Sequence, residues 1–175
     1  MQHDEQVRTM RLLMQRLDQD TNVDAGSVVI NPITAYTCPD RALAEWEKMF
    51  QSFPQVMGLS GDLPGPGSFL TSNDLGKPML MTRDKEGVFR AFLNVCRHRG
   101  TIVETETRGH RNTFSCPFHA WTYDLQGELV AVPKQDHFGP VDLSCNGLVE
   151  LTAEERHGLL WVHPQPGSVF DLDAC

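Results

Sequence analysis

The chain is poor in positive charge. Its 15 Lys and Arg stand against 23 Asp and Glu, a formal net charge of −8 over 175 residues. A protein that neutralises phosphates needs a basic stripe, so nucleic acid is excluded as an expected partner. Long apolar runs are absent as well, and no segment reads as a membrane span. Residues Met1 to Met10 are polar and charged, without the apolar stretch of a secretory signal, so a cytoplasmic location is expected. Cysteine is sparse: there are five, an odd number, which argues against a disulfide framework. No internal repeat or low-complexity tract is present.

Four residues in the middle carry the chemistry. Cys96-Arg97-His98 and Cys116-Pro117-Phe118-His119 are separated by seventeen residues. Each pair offers one thiolate and one imidazole from a single loop. Cys-x-His followed by Cys-x-x-His is the spacing of a Rieske 2Fe–2S centre, in which two Cys hold one iron and two His replace thiolates on the other. On that reading Cys96 and Cys116 bind the inner iron, and His98 and His119 the outer. Neutral imidazoles in place of anionic thiolates make such a cluster easier to reduce, with potentials of roughly −150 to +300 mV. Two Cys and two His also describe a structural zinc site. Zinc fingers, however, present both Cys first and both His later around a short helix, whereas here the types alternate within each pair.

The flanks resemble the Rieske domain of aromatic-ring-hydroxylating oxygenase α subunits. The resemblance runs from Val88-Phe89-Arg90-Ala91-Phe92-Leu93 through Asn94-Val95-Cys96-Arg97-His98-Arg99-Gly100. It continues through Cys116-Pro117-Phe118-His119-Ala120-Trp121-Thr122-Tyr123 and the hairpin Asp124 to Leu129, and closes at Glu155 to Val162. It covers roughly residues 40 to 165. It implies an electron donor (a reductase or ferredoxin) and a mononuclear Fe(II) in a catalytic domain beyond this chain. It also implies a relay from His119, through an Asp, to the catalytic iron of a neighbouring subunit. Rieske proteins of cytochrome bc complexes carry an extra Cys near each ligand pair. Thr101 and Phe118 occupy those positions here, so the likeness is to the oxygenase and ferredoxin branch. A stand-alone Rieske ferredoxin is the alternative; the N-terminal extension favours part of an oxygenase α subunit.

Four supporting residues stand beside the ligands. Arg99 either hydrogen-bonds near the cluster or pairs with a carboxylate. Gly100 permits a tight backbone approach. Pro117 stiffens the second loop and leaves neighbouring amides to serve the sulfurs. Trp121 either screens the cluster or fills the core. A facial triad for oxygen activation is not expected: Glu154, His157 and His163 are one residue off the family spacing and lie in strand-like sequence. His3, His110 and His137 read as surface residues.

The expected fold is mainly β, an antiparallel Rieske-type sandwich with two cluster-binding loops behind a helical N-terminal extension. Residues 1–55 form that extension, 56–165 the Rieske domain, and 166–175 a tail or linker. Val7, Met10, Leu13, Met14 and Leu17 recur at helical spacing and are expected to pack on their own domain. Asp40 is the expected N-cap of a second helix over Arg41 to Phe50. Gly58 to Gly67 reads as an irregular loop. Strands are expected at 78–82, 88–94, 113–116, 121–125, 129–132, 147–151 and 159–162.

Overall fold

The computed structural model describes residues 2–21 and 26–172. It divides into two units, residues 1–38 and 39–175. The first holds helix α1 (His3–Asp18) and the single turn α2 (Thr34–Thr37). No residue of α1 is buried, and Met10, Leu13, Met14 and Leu17 are exposed. The expected burial of its apolar stripe is therefore not seen among the described residues. In the second unit, α3 (Pro39–Glu45) continues as a π-turn over Trp46–Phe50. The helix begins on Pro39, two residues before the expected start at Arg41, which puts Asp40 in the first turn instead of at the cap. Proline suits that position because its missing N–H costs nothing there.

Among the described residues eleven strands follow: β1 Gln55–Leu59, β2 Ser68–Ser72, β3 Met79–Arg83, β4 Phe89–Leu93, β5 Arg108–His110, β6 Thr113–Ser115, β7 Thr122–Asp124, β8 Leu129–Ala131, β9 Glu150–Leu151, β10 Ala153–Arg156 and β11 Leu159–Val162. Every pairing is antiparallel. They form a central sheet β5-β2-β3-β4-β9, a flanking sheet β1-β11-β10, and a smaller sheet β6-β7-β8. The fold is thus mainly antiparallel β. The sequence pattern passes over β1, β2, β5 and β10. Gly58 to Gly67 is not one irregular loop, because β1 runs to Leu59 before a single 3-10 turn at Ser60–Asp62.

The central sheet is buried on both faces because its strands alternate between two cores. Phe69, Leu80 and Phe92 turn toward the small sheet and pack with Phe114 and Tyr123. Their neighbours Leu70, Met79, Met81 and Ala91 turn the other way and pack with Leu160 and Val162. This is period-two geometry applied to strands that read as continuous apolar runs. Gly127, at φ +80°, turns the β7–β8 hairpin, and a Cβ there would meet the Phe92 ring at 2.5 Å. Among the described residues no helix is long and apolar enough to cross a membrane.

Candidate metal centre

Two loops leave the core side by side, one after β4 and one after β6, with the same backbone plan. In the first, the Cys96 N–H donates to the Thr101 carbonyl and the Gly100 N–H returns to the Cys96 carbonyl, at 2.8 and 2.9 Å. In the second, the Cys116 N–H donates to Trp121 and the Ala120 N–H returns to Cys116, at the same two distances. Each loop therefore ends on a left-handed residue, Gly100 at φ +73° and Ala120 at φ +57°. Around Gly100 a Cβ would meet nothing nearer than Val95 at 3.9 Å. Its positive φ is a reason for glycine there. Ala120 bears the same dihedral with a side chain, at a cost of about 1–2 kcal/mol. An Ala120→Gly chain is expected to gain about 0.5–1 kcal/mol, after the greater unfolded-state entropy of glycine is deducted, read as a higher urea midpoint.

Asn94 anchors the first loop from beneath. Buried, it donates to the Glu104 carbonyl at 2.7 Å and accepts from the N–H groups of Val103 and Glu104.

The plan sorts the four ligand candidates by depth. Cys96 and Cys116 lie in the core, 2% and 3% exposed, and are unbridged. Burial pushes the Cys116 thiol up, against the N–H groups of Phe118 and His119, which favour the thiolate; the nearby Cys96 thiol pushes it further up. Those two amides are the ones Pro117 leaves available. His98 and His119 stand farther out, half-buried, their rings edge to face at 4.7 Å. The Trp121 indole stacks on His98 at 5.1 Å and 13°, and Phe138 sets its edge against both imidazoles. Trp121 is 4% exposed and belongs to the core cluster, so it fills the core and covers a ligand ring at once. Burial lowers the His98 pKa, and the charges of His119 and Arg99 lower it further, so the neutral, metal-binding form is favoured. Arg99 lies over the Phe118 ring at 5.9 Å and makes no ion pair with a described residue.

The donor set fits a group with two ligand pairs. His119 Nδ1 is a buried ring nitrogen with no hydrogen-bond partner, which is costly unless something else occupies it. Among the described residues no three His, Cys, Asp or Glu side chains converge as a single tetrahedral ion requires. A pair of thiols deep in the core with a pair of imidazoles above it suits a two-iron cluster better than one zinc ion.

The comparisons with known proteins agree. The profile of the Rieske [2Fe-2S] domain matches residues 53–150. The chain belongs to the Rieske [2Fe-2S] domain family. It is 32% identical over 143 residues to the glycine betaine monooxygenase oxygenase subunit of Chromohalobacter salexigens, covering 81% of this chain and 32% of that protein. Against the carnitine monooxygenase oxygenase subunit of Acinetobacter baumannii, identity is 29% over 150 residues, with 86% and 40% covered. Naphthalene 1,2-dioxygenase from Rhodococcus sp. superposes with a TM-score of 0.71 at 28% identity, covering 78% of this chain and 31% of that one. The chain thus spans about a third to two-fifths of the length of these curated relatives.

In this Rieske domain the sequence reading missed one residue beside the sulfur. Tyr123 is fully buried; its hydroxyl accepts the Arg97 N–H at 3.0 Å and lies 3.3 Å from Cys96 Sγ, placed to donate to it. Burial raises its pKa strongly, and so does its hydrogen bond to Cys96, so the donor stays protonated. Alternation along β7 could have signalled an inward Tyr123, but not its reach to a sulfur. Phe138, in a loop with no periodic pattern, gave no signal at all. A donor to sulfur stabilises the more negative, reduced cluster. Tyr123→Phe removes about 1–1.5 kcal/mol of such stabilisation, which is a fall of roughly 40–65 mV in midpoint potential for one electron. Redox titration followed by EPR checks this.

The remaining histidines are not gathered into a site. His163 is buried with Nδ1 accepting the Gln165 N–H and Nε2 facing the Ser52 carbonyl. His157 sits exposed on the β10–β11 turn at φ +54°. Among the described residues they form no cluster of three ligating side chains with Glu154. His3, His110 and His137 are exposed. Cys38 and Cys145 are unbridged, and Cys175 lies outside the described residues.

Proposed function

We propose that this chain is the electron-relay portion of a Rieske oxygenase. In this reading residues 56–165 are the cluster domain, 1–55 a helical extension, and 166–175 a tail or the start of a linker. Cys96 and Cys116 ligate one iron as thiolates, and His98 and His119 ligate the other as neutral imidazoles. The 2Fe–2S cluster supplies reversible one-electron storage. Around it, Asn94 holds the first loop in register, and the Phe118, His119 and Tyr123 donors face the sulfurs. Trp121 and Phe138 keep water from the imidazoles. The electron comes from a reductase or ferredoxin and leaves for a mononuclear iron in a catalytic domain outside this chain.

The observation that carries the reading is the split donor set, two buried unbridged thiols under two half-exposed imidazoles, with His119 Nδ1 unpartnered. The relatives support its generality. By name they act on substrates as different as betaine, carnitine and naphthalene, and what this chain shares with them is the Rieske portion.

The test is low-temperature EPR of the reduced protein, with iron, sulfide and zinc analysis. Two irons, two sulfides and an anisotropic Rieske signal are expected. A colourless protein loaded with zinc would end the electron-transfer reading.

A further inference from the structure

Between β8 and β9 the chain leaves the sheets and passes beside the two imidazoles. Val132 and Val141 are half-buried and pack against the core, and Leu143 does the same. Behind Val141, the Asp142 carboxylate accepts from the Ser144 N–H and hydroxyl at 2.9 and 2.7 Å and fixes the next turn. The residues between these two feet, 133–140, are held differently. All are exposed except Phe138. Among the described residues, their hydrogen bonds stay within the segment and its second foot. The His137 N–H donates to the Lys134 carbonyl, the Phe138 N–H to Gln135, and the Gln135 side-chain amide to the Val141 carbonyl, at 2.9, 3.0 and 3.3 Å. What ties the segment to the body is a ring. Phe138 stands edge to face with His98 at 5.1 Å and with His119 and Trp121 at 6.0 Å. A left-handed residue lies on each side of that ring, Lys134 at φ +54° and Gly139 at φ +73°.

We propose that residues 133–140 are a hinged lid, closed by Phe138 over the two imidazoles and able to lift about Lys134 and Gly139. The inference rests on the electron-relay reading and names a device that controls water at its cluster. The geometry favours motion of the segment as a unit. Its feet are anchored in the core, its internal bonds survive lifting, and the Phe138 ring contacts are what breaks. Segments with exposed backbone and few apolar contacts open at the low end of a protein's local stability. Such a lid meets two opposed needs. An undocked cluster needs dry ligands, because the shell around a metal site controls solvent access and potential. The relay needs an imidazole within reach of another chain, and a lid latched by one ring yields it without disturbing the core. The backbone balances the closed state. Lys134 holds a conformation that disfavours a side chain and so works against closure, whereas Gly139 adopts it freely.

The experiment uses the full chain carrying its cluster, reduced with dithionite. Iron loss to excess bathophenanthroline disulfonate, a ferrous chelator, is followed by absorbance. Hydrogen exchange of residues 133–140 is followed by mass spectrometry on the same proteins. Two substitutions act on the hinges without touching core or ligands: Lys134 is exposed, and a Cβ at Gly139 meets nothing within 4 Å. Lys134→Gly relieves the left-handed penalty of the closed lid and should slow iron loss about two- to fivefold. Gly139→Ala adds that penalty and should speed it about fivefold. Phe138→Ala removes the latch and should speed it about tenfold. Lid exchange should follow the same order. Opposite shifts from the two hinges are the signature, since general loosening of the loop would move both the same way. If the hinge substitutions leave iron loss unchanged or move it in one direction, or if Phe138→Ala loses iron no faster than the parent, the lid is overturned. A Rieske EPR signal in every variant then leaves the relay reading standing. If the parent chain carries zinc and gives no Rieske signal, the relay reading fails and the lid inference falls with it.

Discussion

A Cys96→Ala chain is expected to bind no 2Fe–2S cluster, with visible absorbance and Rieske EPR both lost and not merely shifted. In the proposed ligand set Cys96 is one of two thiolates on the inner iron, and no described cysteine besides Cys96 and Cys116 lies in either ligand loop. With three ligands left, one iron would lack a protein donor. The protein itself should still fold, since the lost side chain is small and the core around Phe92, Phe114 and Tyr123 persists. Far-UV circular dichroism therefore separates loss of cluster from loss of fold. Cys116→Ala should behave in the same way. A normal Rieske spectrum in either variant would mean that the ligands lie elsewhere.

The second large effect lies away from the cluster, at Asp84. This carboxylate is fully buried in the β3–β4 hairpin. It accepts from the N–H groups of Glu86 and Val88 at 3.1 and 2.8 Å and from Arg90 Nε at 2.8 Å. Burial alone would raise its pKa. The Arg90 guanidinium and the Val88 and Glu86 amides outweigh burial, and the net direction is down. Asp84→Ala leaves two amides without their acceptor and Arg90 with only the looser Glu150 contact at 3.8 Å, and is expected to cost about 3 kcal/mol at pH 7. Urea unfolding of both proteins measures it. The pH dependence has a definite sign. A folded pKa under the unfolded value of about 3.9 stabilises the protein fully above roughly pH 5. That contribution disappears as pH falls through the folded value, so the gap in stability between the parent chain and the Asp84→Ala variant should close in acid. A gap that widens toward low pH would contradict the assignment of Asp84 as a buried, ionised partner of Arg90.

Much of this was open to inspection in the sequence. The turn Asp84-Lys85-Glu86-Gly87 and the hairpin at Gly127 were legible because each needs a specific residue at a left-handed position. β11 was legible because Leu159 to Val162 is apolar and bounded by Gly158. The strands passed over have other causes. β1 carries Gly58 inside it, and Gly58 marks the place where its register with β11 shifts. β5 is three exposed residues, Arg108 to His110, held only by pairing with β2. β10 is charged along most of its length and is strand because β11 lies beside it. Short exposed strands take their conformation from a partner distant in sequence, and period-two patterning has nothing to register there.

By itself the sequence determined the chemistry. Two Cys and two His at these intervals select a two-iron cluster, because the donor types and the short loops between them are covalently fixed. Tertiary structure alone decided how deep each ligand sits, since depth depends on which strands pack beneath the loops. It brought Tyr123 to the Cys96 sulfur and Trp121 onto the His98 ring, contacts between two segments separated by more than twenty residues. It also decided which arginines are neutralised. Five of those from β3 onward find carboxylates among the described residues, Arg83 and Arg108 on segments far away along the chain, and two beside His98 do not. Net charge is a sum over the sequence, but which charges remain unpaired at one place is fixed only by the folded chain.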